Sequence, residues 1–269
     1  MTRPALAIAV ALVPACAWDD GAPFGEVTVD FTARWTEVPA RGGDWQKLAS
    51  DFEVQVTAAS ATFGALALVD VGTVALNFDP ADPPPGYSNC HGGHCHADDG
   101  RLVSYEEIAA ELAGGGGPAP VIRLAVGARE LRTGVAETLA CAGAPCDLPL
   151  ATVGRVELPV ARLELAGLVR DTRTPPRVAA PQPWTLALDR ADDAAPATGT
   201  LDLPVDRGHA PRITLAVDAL PTAALLDGVR FEQATGPTWA VETDPDSVTA
   251  IHAELDELAL DTDTQREDY

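Results

Sequence analysis

Hydrophobic and polar residues alternate along much of the chain. In residues 27–35 every second position, from Val27 to Trp35, is apolar, and the positions between them are polar. A period of two predicts a β-strand with one buried face. The same alternation recurs in eight further short segments, at residues 52–56, 74–78, 122–126, 156–160, 163–165, 184–188, 201–205 and 213–217.

The segments between these strands are rich in turn-forming residues. The chain holds 23 glycines and 23 prolines, which disfavour a helical bundle. Short strands separated by such turns predict an all-β fold, an antiparallel β-sandwich of Greek-key-like type. Two short helices are expected. One begins at Ser104, where Glu107 completes a capping box, and ends at Gly114. The other follows Asp244 and Pro245.

The chain divides into four predicted parts. Residues 1–15 are expected to be a signal peptide and residues 16–25 a tether. Residues 26–261 are expected to form a single sandwich domain, with a loop rich in cysteine and histidine at 82–100. Residues 262–269 are polar and are expected to form a flexible tail.

The charge balance excludes one large class of partner. Lysine and arginine total 18 against 40 aspartate and glutamate residues, a net charge of −22. Such a field repels phosphate backbones, so we expect no nucleic-acid partner.

The N-terminal residues predict export. Arg3 precedes a short apolar run at residues 5–13, and Ala15 then stands directly before Cys16. This segment resembles the lipobox of bacterial lipoproteins. The resemblance implies cleavage before Cys16, lipidation of that cysteine and anchoring to a membrane. Because Ala17 rather than aspartate follows, it favours the periplasmic face or the surface of the outer membrane. The alternative is a signal peptide without lipid, cut near Ala15.

Four other cysteines form two pairs with C-x4-C spacing. They are Cys90 with Cys95 and Cys141 with Cys146. An exported protein matures in an oxidising compartment, which favours disulfides, although four cysteines allow three connectivities. The segment between Cys141 and Cys146 contains no metal-type ligand, so a local disulfide is expected there.

The segment from Cys90 to His96 is the densest group of candidate metal ligands. It reads CHGGHCH and contains three of the five histidines of the chain, His91, His94 and His96. Imidazole and thiolate suit copper and zinc. The prolines just before it predict an exposed loop. The expected ligands and their nearby carboxylates are Cys90, His91, His94, Cys95, His96, Asp98 and Asp99.

Four interpretations of this segment stay open at the level of sequence. A Cys90–Cys95 disulfide would leave three imidazoles for Cu(II) or zinc, whereas a reduced pair would give a mixed thiolate and imidazole site. The histidines could instead face solvent beside a structural disulfide. Finally, Cys90-x4-Cys95-His96 matches a widened haem attachment spacing. We predict that both pairs are closed in the metal-free protein, with the histidines as primary ligands.

The two remaining histidines are weaker candidates. His252 lies on the apolar stripe of the helix predicted after Pro245 and is expected at the boundary of the core. His209 lies in a loop, where it is expected to be solvated.

An exported β-rich chain with four further cysteines and clustered histidines resembles, in overall arrangement, the MbnP-like copper-binding periplasmic partners of di-haem enzymes. The resemblance implies copper rather than zinc, and a redox or metal-transfer protein as partner. Because the residues supply no recognisable acid–base or nucleophile set, we expect metal binding or delivery rather than catalysis. The rival hypothesis is a cell-envelope interaction module in which the Cys90–His96 segment only stabilises a loop.

Overall fold

The computed structural model describes residues 23–37, 44–71, 79–91, 94–98, 100–105, 108, 112, 119–142, 144–178, 181–201, 203 and 211–267. The predicted all-β class is confirmed, because strands dominate these ranges. In chain order they are β1 (Pro23–Ala33), β2 (Gln46–Lys47), β3 (Phe52–Asp70), β4 (Tyr87–His91), β5 (His94–Ala97), β6 (Leu102–Ser104), β7 (Ala119–Glu130), β8 (Glu137–Leu139), β9 (Cys146–Pro149), β10 (Val153–Leu158), β11 (Val160–Asp171), β12 (Gln182–Asp189), β13 (Ala197–Thr200), β14 (Arg212–Ala219), β15 (Trp239–Ala240) and β16 (Leu260–Glu267).

Two large sheets form the body. The first has the order β16-β14-β1-β8, with β9 also paired to β1; the second has the order β13-β10-β3-β11-β12-β15, with β2 and β7 also paired to β3. Side chains of both sheets join one hydrophobic core. Phe31 of β1 meets Phe63 of β3 edge to face, with ring centroids 5.7 Å apart. The two sheets therefore pack face to face, as in a sandwich.

The alternation in the first predicted strand is confirmed by burial. Val27, Val29 and Phe31 are at most 1% exposed. Successive side chains of a strand point to opposite faces, so these three side chains fill the core. The two residues between them, Thr28 and Asp30, are only partly buried.

The predicted β-sandwich is mainly antiparallel, but two of its strand pairs run parallel. β1 pairs with β14 in parallel, from Glu26 opposite Arg212 to Ala33 opposite Ala219. β12 and β15 also run parallel. Parallel neighbours need a long connection, and the residues between β1 and β14 include every strand of the second sheet except β15.

Three segmental predictions are corrected. The polar residues predicted as a flexible tail at 262–269 belong, as far as residue 267, to β16, which pairs with β14. The predicted tether at 16–25 overlaps β1, which begins at Pro23. In the segment predicted as a strand at 201–205, Leu201 and Leu203 are buried but follow β13, which ends at Thr200. The segments 1–15 and 74–78 lie outside the described residues.

The helix predicted after Asp244 is confirmed. It spans Pro245–Asp256, and the Asp244 carboxylate accepts a hydrogen bond from the Ser247 N–H at 3.3 Å. The Arg230 guanidinium and the Ser247 hydroxyl both donate to this carboxylate, so they lower the pKa of Asp244 from 3.8 to about 2. Asp244 is therefore ionised at neutral pH, the form that best caps a helix N-terminus. Short 3₁₀ helices lie at Ala223–Leu226, Phe231–Gln233 and Val241–Thr243.

The helix predicted to begin at Ser104 is only partly described. Ser104 ends β6, and Tyr105, Ile108 and Leu112 have helical backbone, whereas Glu107 and Gly114 lie outside the described residues.

Candidate metal centre

A third, small sheet carries the histidine-rich segment. Its strand order is β4-β5-β6, all antiparallel, with β5 in the centre. The prediction of an exposed loop is therefore wrong: the prolines end before β4, and both halves of the segment lie in strands. The sequence carried a signal for this, because His94, Cys95 and His96 alternate in chemistry as strand residues alternate in direction.

One face of the small sheet packs into its own core, separate from that of the sandwich. Cys95 and Ile108 are fully buried and Val103 is 7% exposed. Tyr87 and Ala97, which are cross-strand partners, pack against them. We call this side the inner face. The described part of the chain gives this face three buried residues, so the apolar packing seen there contributes little to holding the three strands together.

The inner face also holds the first disulfide. Cys90 and Cys95 are joined across β4 and β5, with their Cα atoms 4.0 Å apart. The predicted closed pair is thus present, and it removes both sulfurs from the metal-ligand set. The mixed thiolate and imidazole site does not describe this structure, and neither does haem attachment, which uses the same two sulfurs.

The three histidines lie on the opposite, outer face. His91 pairs with His94 across the hairpin, and His96 lies two residues further along β5. One nitrogen from each ring lies within 4.8 Å of the others. The Nε2 atoms of His91 and His96 are 3.4 Å apart. His91 is exposed, whereas His94 and His96 are half-buried.

This spacing matches that of ligands on one metal ion. Two nitrogens that each bind a tetrahedral ion at about 2.0–2.1 Å are separated by about 3.3–3.4 Å. The distance between the Nε2 atoms of His91 and His96 already meets this value, and His94 also has a ring nitrogen within 4.8 Å of the other two residues' ligand atoms. Neutral imidazoles offer a lone pair to copper or zinc, and three of them leave a fourth position open.

A β-bulge at Asn89 places His91 on the outer face. Ser88 faces His96 and His91 faces His94, so β4 has two residues, Asn89 and Cys90, where β5 has only Cys95. Without the extra residue, side chains three positions apart would lie on opposite faces. The backbone at Asn89 accommodates the extra residue by adopting a φ of 47°, a left-handed conformation that asparagine tolerates better than most residues.

We expect Asn89→Val to weaken Zn(II) binding about tenfold, because a β-branched residue is disfavoured in left-handed backbone and its cost would move His91 away from the other ligands. Asn89→Gly is the matched control and should bind like the wild type, since glycine adopts positive φ freely. Competition with a chromophoric zinc chelator measures both. Equal affinities in the two variants would show that the bulge does not position His91.

The other predicted site residues lie apart from the cluster. Among the described residues, the group of candidate ligand atoms consists of the three histidines alone. Asp98 is exposed, and its backbone N–H donates to the carbonyl of Gly86 at 3.0 Å. His252 is half-buried on the helix Pro245–Asp256, at the predicted boundary position. Asp99 and His209 lie outside the described residues.

The second disulfide is also present as predicted. Cys141 and Cys146 are joined with their Cα atoms 5.0 Å apart. Cys146 is 1% exposed and pairs with Val27 of β1. This disulfide therefore belongs to the sandwich and links Cys141 to Cys146, the first residue of β9.

Neither a membrane-spanning helix nor a similar protein adds information about the site. Cys16 lies outside the described residues, and none of the described helices is long and apolar enough to cross a membrane. The chain matches no protein-family model, and no curated protein or solved structure is significantly similar to it.

Proposed function

We propose that this chain is an exported, lipid-anchored protein that binds or delivers a transition metal, copper or zinc, through His91, His94 and His96. The observation that carries the proposal is the convergence of three ring nitrogens within 4.8 Å on the exposed face of a disulfide-closed hairpin. Three imidazoles that a closed hairpin holds close together bind a metal ion more readily than histidines that are spread over a solvated surface.

The ligand set favours a divalent ion. With both sulfurs in a disulfide, the donors are nitrogen only, which suits Cu(II) and Zn(II) better than the soft ion Cu(I). In equal competition Cu(II) binds such ligands more tightly than Zn(II) does. The resemblance to MbnP-like proteins agrees with copper.

The position of the site favours exchange with a partner. His91 is exposed, and Leu102, which pairs with His96 on the same face, has 61% of its surface exposed. An ion held here is accessible to a redox or metal-transfer protein. Anchoring through Cys16 would keep the site at the periplasmic face or surface of the outer membrane, where such partners act.

Metal content tests the proposal. Wild-type protein from its native compartment should hold about one copper or zinc ion per chain, and His91→Ala/His94→Ala/His96→Ala should hold none above background, because no ligand nitrogen remains. His252→Ala, a histidine outside the cluster, is the control and should keep the metal. Elemental analysis by mass spectrometry measures all three. Equal metal in wild type and triple variant would favour the interaction-module hypothesis instead.

A further inference from the structure

A cavity of about 450 Å³ lies beside the small sheet. Its walls come from all three sheets: Ser104 from β6, Arg155 from β10, Thr198 and Thr200 from β13 and Leu260 from β16 contribute to it. Val71, which follows β3, completes the apolar part of the wall. Its volume falls in the range of sites that bind small molecules.

Ser104 connects this cavity to the histidine cluster. Ser104 lines the cavity and is also the cross-strand partner of His94. Directly opposed residues of antiparallel strands have Cα atoms about 4.5–5.5 Å apart and side chains on the same face. Ser104 is therefore the point at which the cavity wall adjoins a proposed metal ligand, and the three histidines themselves do not line the cavity.

The chemistry of the two neighbouring sites is complementary. Three neutral imidazoles leave the full charge of a divalent ion uncompensated and one position open, so an anionic oxygen is the favoured fourth ligand. The cavity supplies hydroxyls at Thr198 and Thr200 and an apolar surface at Val71 and Leu260. It can therefore hold the rest of a molecule whose charged end reaches the ion.

From this arrangement we infer that the cavity binds a small carboxylate with a short apolar tail, whose carboxylate oxygen fills the open position on the metal. The inference rests on the proposed metal site and names the class of ligand that site takes. The net charge of −22 does not prevent it, because salt screens surface charges beyond about 8 Å, whereas the ion is in direct contact.

Titration of copper-loaded protein with acetate and with hexanoate tests the inference. A fully buried methylene strengthens binding about fourfold, so partial burial of the four additional methylenes should make hexanoate bind at least about tenfold more tightly than acetate. The copper electron paramagnetic resonance spectrum reports carboxylate coordination directly.

Thr198→Trp fills the cavity without touching the histidines and should abolish the preference for hexanoate while acetate still binds. Thr57→Trp is the matched control, since Thr57 is an exposed strand threonine outside the cavity lining, and it should keep the preference. Circular dichroism checks that both variants fold.

The outcomes separate the two proposals. A wild-type protein that takes up no copper contradicts the metal site itself and the inference with it. Copper-loaded protein that binds neither carboxylate or binds both equally, or a Thr198→Trp variant that still prefers hexanoate, overturns the cavity inference and leaves the metal site standing.

Discussion

Replacing Cys90 and Cys95 together by serine is expected to weaken Zn(II) binding about thirtyfold. The disulfide closes a loop with a sequence separation of 5, and the loss of such a cross-link costs about 2 kcal/mol of chain entropy. Among the described residues, the buried members of the inner-face core are Cys95, Val103 and Ile108, so the disulfide is expected to contribute much of the order of the hairpin. Metal binding must then supply that ordering free energy.

The second disulfide offers a control of the same length. Cys141 and Cys146 also have a sequence separation of 5, but they belong to the sandwich. Cys141→Ser/Cys146→Ser should lower the melting temperature and leave the zinc affinity within twofold of wild type. Zinc is the suitable probe because it has no redox chemistry with thiols. Equal losses of affinity in the two double variants would mean that the Cys90–Cys95 bridge does not act on the site locally.

Truncating Phe231 is expected to cause a large loss of stability in the sandwich. Phe231 is fully buried, and its ring lies 5.7–5.9 Å from those of Phe52, Trp184 and Trp239. Phe231→Ala should reduce the free energy of unfolding by about 3–5 kcal/mol, because it removes apolar contact and leaves a cavity.

Phe231→Leu keeps most of the volume and should cost clearly less. Urea unfolding followed by tryptophan fluorescence measures both variants. Zinc affinity should stay unchanged at low urea, since the small sheet has a separate core. A parallel loss of zinc affinity would show that the sandwich and the small sheet unfold as one unit.

The strands that follow simple alternation could be predicted from the sequence, and the pairing between them could not. A local period of two predicts the buried face of β1, which holds Val27, Val29 and Phe31. The parallel partner of β1 lies some 190 positions further along, beyond the reach of any local pattern. The sequence does not indicate β16 as a strand, because nearly all of its side chains are polar and its place is fixed by backbone pairing with β14.

The candidate site was predictable in its residues but not in its shape. The spacing of Cys90 and Cys95 indicates a disulfide if the chain is exported as its N-terminal residues predict, and the histidines are evident from their density. The hairpin is not evident from the sequence, because the prolines before it favour a loop. The face on which His91 lies depends on a bulge. A single left-handed residue, Asn89, decides that face, and no periodicity signals it.

The parallel pairing of β1 with β14 has a consequence for the order in which the first sheet is assembled. β1 emerges first from the ribosome, but its neighbour at Arg212–Ala219 is synthesised only when most of the chain is complete. Sheets built from such distant segments form slowly. The first sheet therefore cannot be completed before Arg212–Ala219 has been synthesised, and until then the edge of β1 that pairs with β14 stays open.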